Sequence, residues 1–218
     1  MSKIYLCSNT KINDKNVENL ALCKIKFMPF KLDLNAYDAL ILTSKNAIKA
    51  LRFNHISPNV KMQVFAIGKN SASSAKRYGF SDIYTAKNSL GNAFGLEILP
   101  FLKDKKALYI CASKRASKID EILCQNGVDL HTQIAYENII KTEINALKAP
   151  PKNSVLIFTS PLNVKAFLTH FSWDTSYEAI AIGATTAAAL NFICKPKIAK
   201  NQTIKECLNL AKQQLTKG

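Results

Sequence analysis

The chain has 218 residues, 48% of them hydrophobic and 21% charged, which supplies apolar material for one large or two small packed domains. Its 30 Lys plus Arg against 15 Asp plus Glu leave a formal charge of +15 and a surface that attracts anions, yet the arginines are Arg52, Arg77 and Arg115, so the guanidinium fork used in base and phosphate recognition is scarce. No apolar run reaches the ~18 residues of a membrane span, and Cys7, Cys23, Cys111, Cys124, Cys194 and Cys207 with His55, His131 and His170 form neither a C-x-x-C nor another metal-ligand spacing, so membrane, zinc and disulfide-scaffold readings are disfavoured.

Met1–Cys7 runs into polar Ser8-Asn9-Thr10 before a signal-peptide core forms, so a cytoplasmic protein with reduced thiols is expected. Ile4–Cys7 reads as a strand, followed by a helix around Val17–Leu22 and a strand over Ile25–Phe27. Met28–Asp33 contains a proline and no helical period, which suits an extended connector.

Strand Ala39–Leu42, helix Asn46–Phe53, strand Gln63–Ile67 and a helix from Ser71 to Tyr78 come next, the last stopped at Gly79. Strand Ile83–Thr85, helix Ala93–Phe101, strand Ala107–Cys111 and helix Ser117–Gln125, closed by Gly127, continue an alternation that signals parallel sheets. Asp129–Ile140 breaks it as a long β-prone run, read as a second connector. The alternation resumes with strand Val155–Phe158, helix Leu162–His170, strand Ala179–Ile182 and helix Thr185–Phe192, and ends with a strand near Ile198 and helix Thr203–Leu215.

The chain repeats itself. Leu40-Ile41-Leu42-Thr43-Ser44 returns as Leu156-Ile157-Phe158-Thr159-Ser160, and Ala66-Ile67-Gly68 returns as Ala181-Ile182-Gly183, 25 positions after Thr43 in the first copy and 24 after Thr159 in the second. A third echo pairs Ala86-Lys87-Asn88 with Ala199-Lys200-Asn201. Three landmarks in one order at near-equal spacing predict two copies of one α/β unit. The second copy lacks a fourth strand, so the N-terminal strands are expected to complete its sheet. The predicted fold is therefore two similar parallel-sheet α/β domains joined by a two-stranded β connector. The discontinuous domain is 1–30 plus 138–218, the inserted one is 36–130, and the connectors are about 28–35 and 131–140.

Each Thr-Ser pair sits at the carboxyl end of a strand, where open α/β sheets bind ligands. Ser44 and Ser160 either cap the helices that follow or, with the free amides there, bind an anion. Gly68 and Gly183 either permit a tight turn or admit a ligand, and Ser71, Thr185 and Thr186 either cap or donate to a carboxylate. Four such places, two per domain, suggest a cleft for a large polyanion. Neither G-x-G-x-x-G nor G-x-x-x-x-G-K-[ST] is present, which disfavours nucleotide cofactors. The three histidines read as surface residues, Lys114, Arg115 and Lys118 form a basic helix entrance that is either solvated or ligand-binding, and Tyr136 either fills its strand or points its phenol at a ligand.

Thr43-Ser44 with Asn46-Ala47, Ile67-Gly68, Gly91-Asn92-Ala93, Gly127-Val128 before Ala135-Tyr136-Glu137, Phe158-Thr159-Ser160-Pro161 and Ile182-Gly183-Ala184-Thr185-Thr186-Ala187 together resemble the uroporphyrinogen III synthases across most of the chain. The chain departs from them at Ser71, where relatives often carry Thr, and at Gln202, where they often carry Pro. The resemblance implies cyclisation of the linear tetrapyrrole hydroxymethylbilane to uroporphyrinogen III, with loss of water and inversion of the terminal ring through an azafulvene and a spiro intermediate. It also implies no metal or other cofactor, no nucleic-acid or membrane partner, and a monomer. Tyr136 is then the candidate to assist departure of the hydroxyl, and Thr43, Ser44, Gly68, Ser71, Asn92, Ser160, Gly183, Thr185 and Thr186 are the candidate substrate contacts. The rival readings are a non-enzymatic two-domain binder of a small anion and, on charge alone, a nucleic-acid-binding protein.

Overall fold

In the computed structural model, residues 3–87, 91–115, 117–144 and 147–215 are described; Asn88 of the third echo lies outside them. Short apolar runs form the strands β1 (Ile4–Cys7), β2 (Val17–Leu20), β3 (Cys23–Phe27) and β4 (Ala39–Leu42) before the first helix, α1 (Lys45–Phe53). Then come β5 (Gln63–Ala66), α2 (Lys69–Tyr78), β6 (Ile83–Thr85), α3 (Gly91–Ile98), β7 (Lys106–Ala112), α4 (Ile119–Gln125) and the long β8 (Asp129–Ile140). The second copy is β9 (Val155–Phe158), α5 (Pro161–His170), β10 (Glu178–Ala181), α6 (Ala184–Ala188), β11 (Lys197–Ile198) and α7 (Ile204–Leu215).

The chain forms two compact α/β units, one from Met1–Lys24 with Ile139–Gly218 and the other from Ile25–Asn138. In the first unit the strand order is β11-β10-β9-β1-β2 with all pairings parallel, so β1 does complete the sheet of the second copy, joined by β2, whereas the other expected N-terminal strand, β3, lies in the six-stranded sheet. In the second unit it is β3-β8-β7-β4-β5-β6, parallel from β8 to β6. Aligning β9-β10-β11 with β4-β5-β6 makes β1 the counterpart of β7 and β2 that of β8. The two sheets share one spatial order with a permuted chain order. Both sheets are buried on both faces, as parallel sheets are. In the first unit α5 and α6 cover the face carrying Tyr5, Leu156 and Phe158, while α7 covers the face carrying Ile4, Leu6 and Ile157. In the second, α1 and α2 cover Leu40, Leu42 and Ile110, and α3 and α4 cover Ile41, Phe65 and Tyr109.

The helix expected over Val17–Leu22 is instead strand β2. Val17 and Leu20 turn inward against β1, Lys3 pairs with Glu18 across the two strands at 2.6 Å, and the Asn19 amide clasps the backbone of Ile12 at 2.8 and 3.0 Å. Tertiary pairing overrides a weak local period. Residues 28–33 form no strand. The partner of β8 is β3, just upstream, and bonds from Met28 to Ala135 and from Lys141 to Leu22 set these two strands antiparallel. They carry the chain from one unit to the other. Pro100 turns the end of the helix expected at Ala93–Phe101 into a short 3-10 segment, Leu99–Phe101, and α6 has five residues where a helix to Phe192 was expected. Gly79 and Gly127 stop their helices with φ of 121° and 77°, which glycine tolerates.

Candidate functional site

In the second unit the strand order reverses between β7 and β4, and ligands of open α/β sheets bind beyond the carboxyl ends of strands at such a point. Thr43 and Ser44 leave β4 there. Ser44 Oγ accepts the N–H of Asn46 at 3.2 Å and caps α1. The same hydroxyl lies beside the phenol of Tyr136 and acts to lower its pKa.

Tyr136 reaches Ser44 because β8 is bulged. Cys111 of β7 pairs with Ile134 but Ala112 pairs with Tyr136, leaving Ala135 as an extra residue whose carbonyl takes the Met28 N–H at 2.9 Å. Strict alternation would put Tyr136 on the face of Leu130, under α3 and α4. The bulge inverts that alternation and sends Ala135 and Tyr136 together to the α1 face. There Phe27 packs edge-on to Tyr136 with ring centroids 6.5 Å apart. Burial raises the Tyr136 pKa, and the Ser44 hydroxyl works the other way, as it does when serine donates to the phenol oxygen. The phenol thus keeps its own proton while its oxygen is held.

On the opposite face Thr43 Oγ1 lies 3.1 Å from the hydroxyl of Tyr109, which is 1% exposed and whose pKa burial pushes to about 12. A buried phenol must place its proton. Either hydroxyl can be the donor in this bond, and its effect on Tyr109 is to lower the pKa against the pull of burial. Arg115, just beyond β7, is pinned by Asp120 at 2.8 Å, the Ala112 carbonyl at 3.4 Å and the Cys111 sulfur at 3.6 Å. Tyr109 was not singled out from the sequence, because its role depends on a partner 66 residues away.

Gly68 ends the neighbouring strand segment, with Ile67 bonded to the Leu42 carbonyl at 3.0 Å, and Ser71 is buried in the first turn of α2. Asn92 is exposed, and its side-chain oxygen accepts the Lys118 N–H at 3.0 Å, tying the start of α3 to that of α4. In the first unit Ser160 caps α5 through the Asn163 N–H at 3.2 Å, and Gly183 follows β10 beside it, where Ile182 bonds Phe158. Thr186 is buried and Thr185 exposed. Within each unit, therefore, the predicted residues of the two adjoining strand ends lie side by side. Gly68 and Gly183 have φ of −179° and −169°, extended backbone that any residue adopts, so turn geometry does not demand glycine at either. A Cβ on Gly183 would come within 3.3 Å of the Gln202 side chain. Gln202 itself has φ 45°, out of reach of proline, so its departure from the family pattern is built into the backbone.

Among the described residues no cluster of three or more His, Cys, Asp or Glu stands ready to hold a metal, and no helix is long and apolar enough to cross a membrane. His131 bonds the Tyr37 hydroxyl and His170 meets the Lys141 carbonyl at 2.8 Å. A cavity of about 400 Å³ between residues 30–35 and 54–59 lies at the end of α1 remote from Ser44 and holds none of the candidate residues.

The family model described as Uroporphyrinogen-III synthase HemD matches residues 15–209. The chain belongs to the uroporphyrinogen-III synthase family. It is similar to the crystal structure of uroporphyrinogen-III synthetase from Helicobacter pylori 26695, with 32% identity, a TM-score of 0.81, and coverage of 98% of this chain and 99% of that one. A mutant uroporphyrinogen III synthase from the extremely thermophilic bacterium Thermus thermophilus shares the fold at a TM-score of 0.54 and 13% identity, covering the whole of both chains. No curated protein matches the chain. Family membership favours the enzyme over the non-enzymatic binder of a small anion.

Proposed function

We propose that this chain cyclises hydroxymethylbilane to uroporphyrinogen III, with Tyr136 assisting departure of the hydroxymethyl hydroxyl. Family membership carries the activity, and the bulge in β8, which turns the Tyr136 phenol to the α1 face, is the observation that supports the role of Tyr136. A phenol whose pKa is raised by burial stays protonated at neutral pH, so it is available as a donor. As the C–O bond breaks, the electron pair leaves with the oxygen, the Tyr136 proton joins it, and water departs. The phenolate left behind retains the Ser44 donor. The azafulvenium cation that results, the protonated azafulvene, is then attacked by the far pyrrole at its substituted carbon, and fragmentation with reclosure inverts that ring.

The protein's larger task is to hold a curled chain in one geometry, since uncontrolled closure gives the uninverted isomer. Thr43 and Arg115 in the second unit, and Ser160 with Thr185 in the first, are the groups placed to take carboxylates at their strand ends. The buried thiols Cys7, Cys23, Cys111 and Cys207 are all free, which suits a reducing cytoplasm. Tyr136→Phe tests the acid role because it keeps the ring against Phe27 and removes the hydroxyl that would give the proton. Turnover should fall by roughly 10²-fold at unchanged thermal stability; a change under about threefold takes Tyr136 out of the chemistry.

A further inference from the structure

Asn163 lies in the first turn of α5, where its backbone N–H meets Ser160 and its side-chain Nδ2 donates to Thr159 Oγ1 at 3.0 Å. The Thr159 hydroxyl spends its own proton on the Cys7 carbonyl at 3.2 Å. Only lone pairs remain on that hydroxyl for Asn163, which fixes the amide with Nδ2 toward Thr159 and Oδ1 away. Oδ1 is closed off from solvent, and it is the one buried side-chain nitrogen or oxygen among the described residues without a hydrogen-bond partner. The residue as a whole is 3% exposed.

The fold does not ask for an amide here. Counted from the capping serines, Asn163 holds the place of Ala47 in the first copy; both are buried, and both give their N–H to the serine carbonyl at 3.1 Å. Alanine satisfies that position without an orphaned acceptor. Native proteins pair their buried polar groups, so an exception calls for a specific explanation. Its location supplies one: Cys7 ends β1 and Thr159 follows the end of β9, the neighbours between which the five-stranded order reverses, where such sheets bind ligands.

We infer that Asn163 Oδ1 is the acceptor for a pyrrole N–H of the bound tetrapyrrole, an inference that rests on the function proposed above. An ionised carboxylate offers only lone pairs and is repelled by a carbonyl oxygen. The donors on this substrate are its pyrrole N–H groups and its one hydroxymethyl hydroxyl. The first-unit crevice therefore takes the nitrogen side of a pyrrole, whereas Thr43 and Arg115 of the second unit offer donors suited to carboxylates. Because Oδ1 is covered in the free chain, the residues over it shift when the pyrrole docks.

The test is Asn163→Ala, the residue used by the first copy. Thermal stability should match the wild type, the KM for enzymatically generated hydroxymethylbilane should rise about tenfold with kcat within about twofold, and the Kd for uroporphyrinogen III should rise by a similar factor, the scale of one ligand hydrogen bond. Unchanged KM and product affinity, with or without a loss of stability, overturn the inference and leave the function standing. A raised KM with unchanged product affinity assigns the donor to the hydroxymethyl group, which the product lacks, and equally overturns it. A wild-type protein that yields no type III isomer defeats the function itself. Should Asn163→Ala not fold, Asn163→Ser, which lacks the same carbonyl, is measured in the same way.

Discussion

The Ser44 hydroxyl accepts the N–H of Asn46 at 3.2 Å, and the same hydroxyl acts on the neighbouring phenol of Tyr136 to lower its pKa. Its counterpart Ser160 accepts the N–H of Asn163 at the same distance. One serine thus joins a helix start to a candidate acid, whereas the other caps its helix.

This contrast separates capping from catalysis. Ser44→Ala and Ser160→Ala should each destabilise the fold by about 1 kcal/mol, the usual worth of an N-cap. Only Ser44→Ala should also lower kcat, by roughly 3- to 10-fold, because the Tyr136 phenolate loses a hydrogen bond. Chemical denaturation and steady-state kinetics on both variants check it; equal kcat in the two would separate Ser44 from the phenol's chemistry.

Tyr109 provides a pH test of the interior. Its pKa is raised to about 12, so its neutral form adds stability that is fully present below the ordinary value near 10 and is lost as pH climbs toward 12. Two units correspond to about 2–3 kcal/mol. Tyr109→Phe should be less stable than wild type at neutral pH by about 1 kcal/mol, through the lost Thr43 bond, and should lose less between pH 10 and 12. Parallel alkaline unfolding curves for the two proteins would contradict this.

Arg115 should act through charge on the substrate. Arg115→Ala is expected to raise KM by about 5- to 10-fold with little change in kcat, and to flatten the rise of KM with added salt, since one partly exposed cation is gone. Measuring KM at low and high ionic strength decides it. Asp120→Asn, which loosens the guanidinium without removing it, should have a smaller effect of the same sign.

The strand and helix alternation was legible because each element carries its own apolar period, and the duplicated Thr-Ser and Ile-Gly landmarks revealed that the N-terminal segment had to complete the second sheet, though not that β2 rather than β3 joins β1 there. What escaped the sequence depends on partners far along the chain. Val17 and Leu20 share one face of a helix, whereas in β2 they point to opposite faces of the sheet, and only the pairing with β1 decides between the two. The bulge at Ala135 leaves no mark in the pattern, yet it determines which face Tyr136 occupies. Tyr109 carries no mark in the sequence beyond its place in an apolar strand, and its role rests on Thr43, 66 residues away. Asn163 gave the opposite kind of signal: set against Ala47, an amide at a buried helix position was visible in the aligned copies, but its significance needed the unpartnered oxygen.

The central claim is tested most directly by incubating the purified protein with enzymatically generated hydroxymethylbilane and separating the uroporphyrinogen isomers. Formation of the type III isomer, faster than the spontaneous closure to type I in buffer, is the result expected of this chain. Type I product alone, at the buffer rate and from protein shown to be folded, would contradict it.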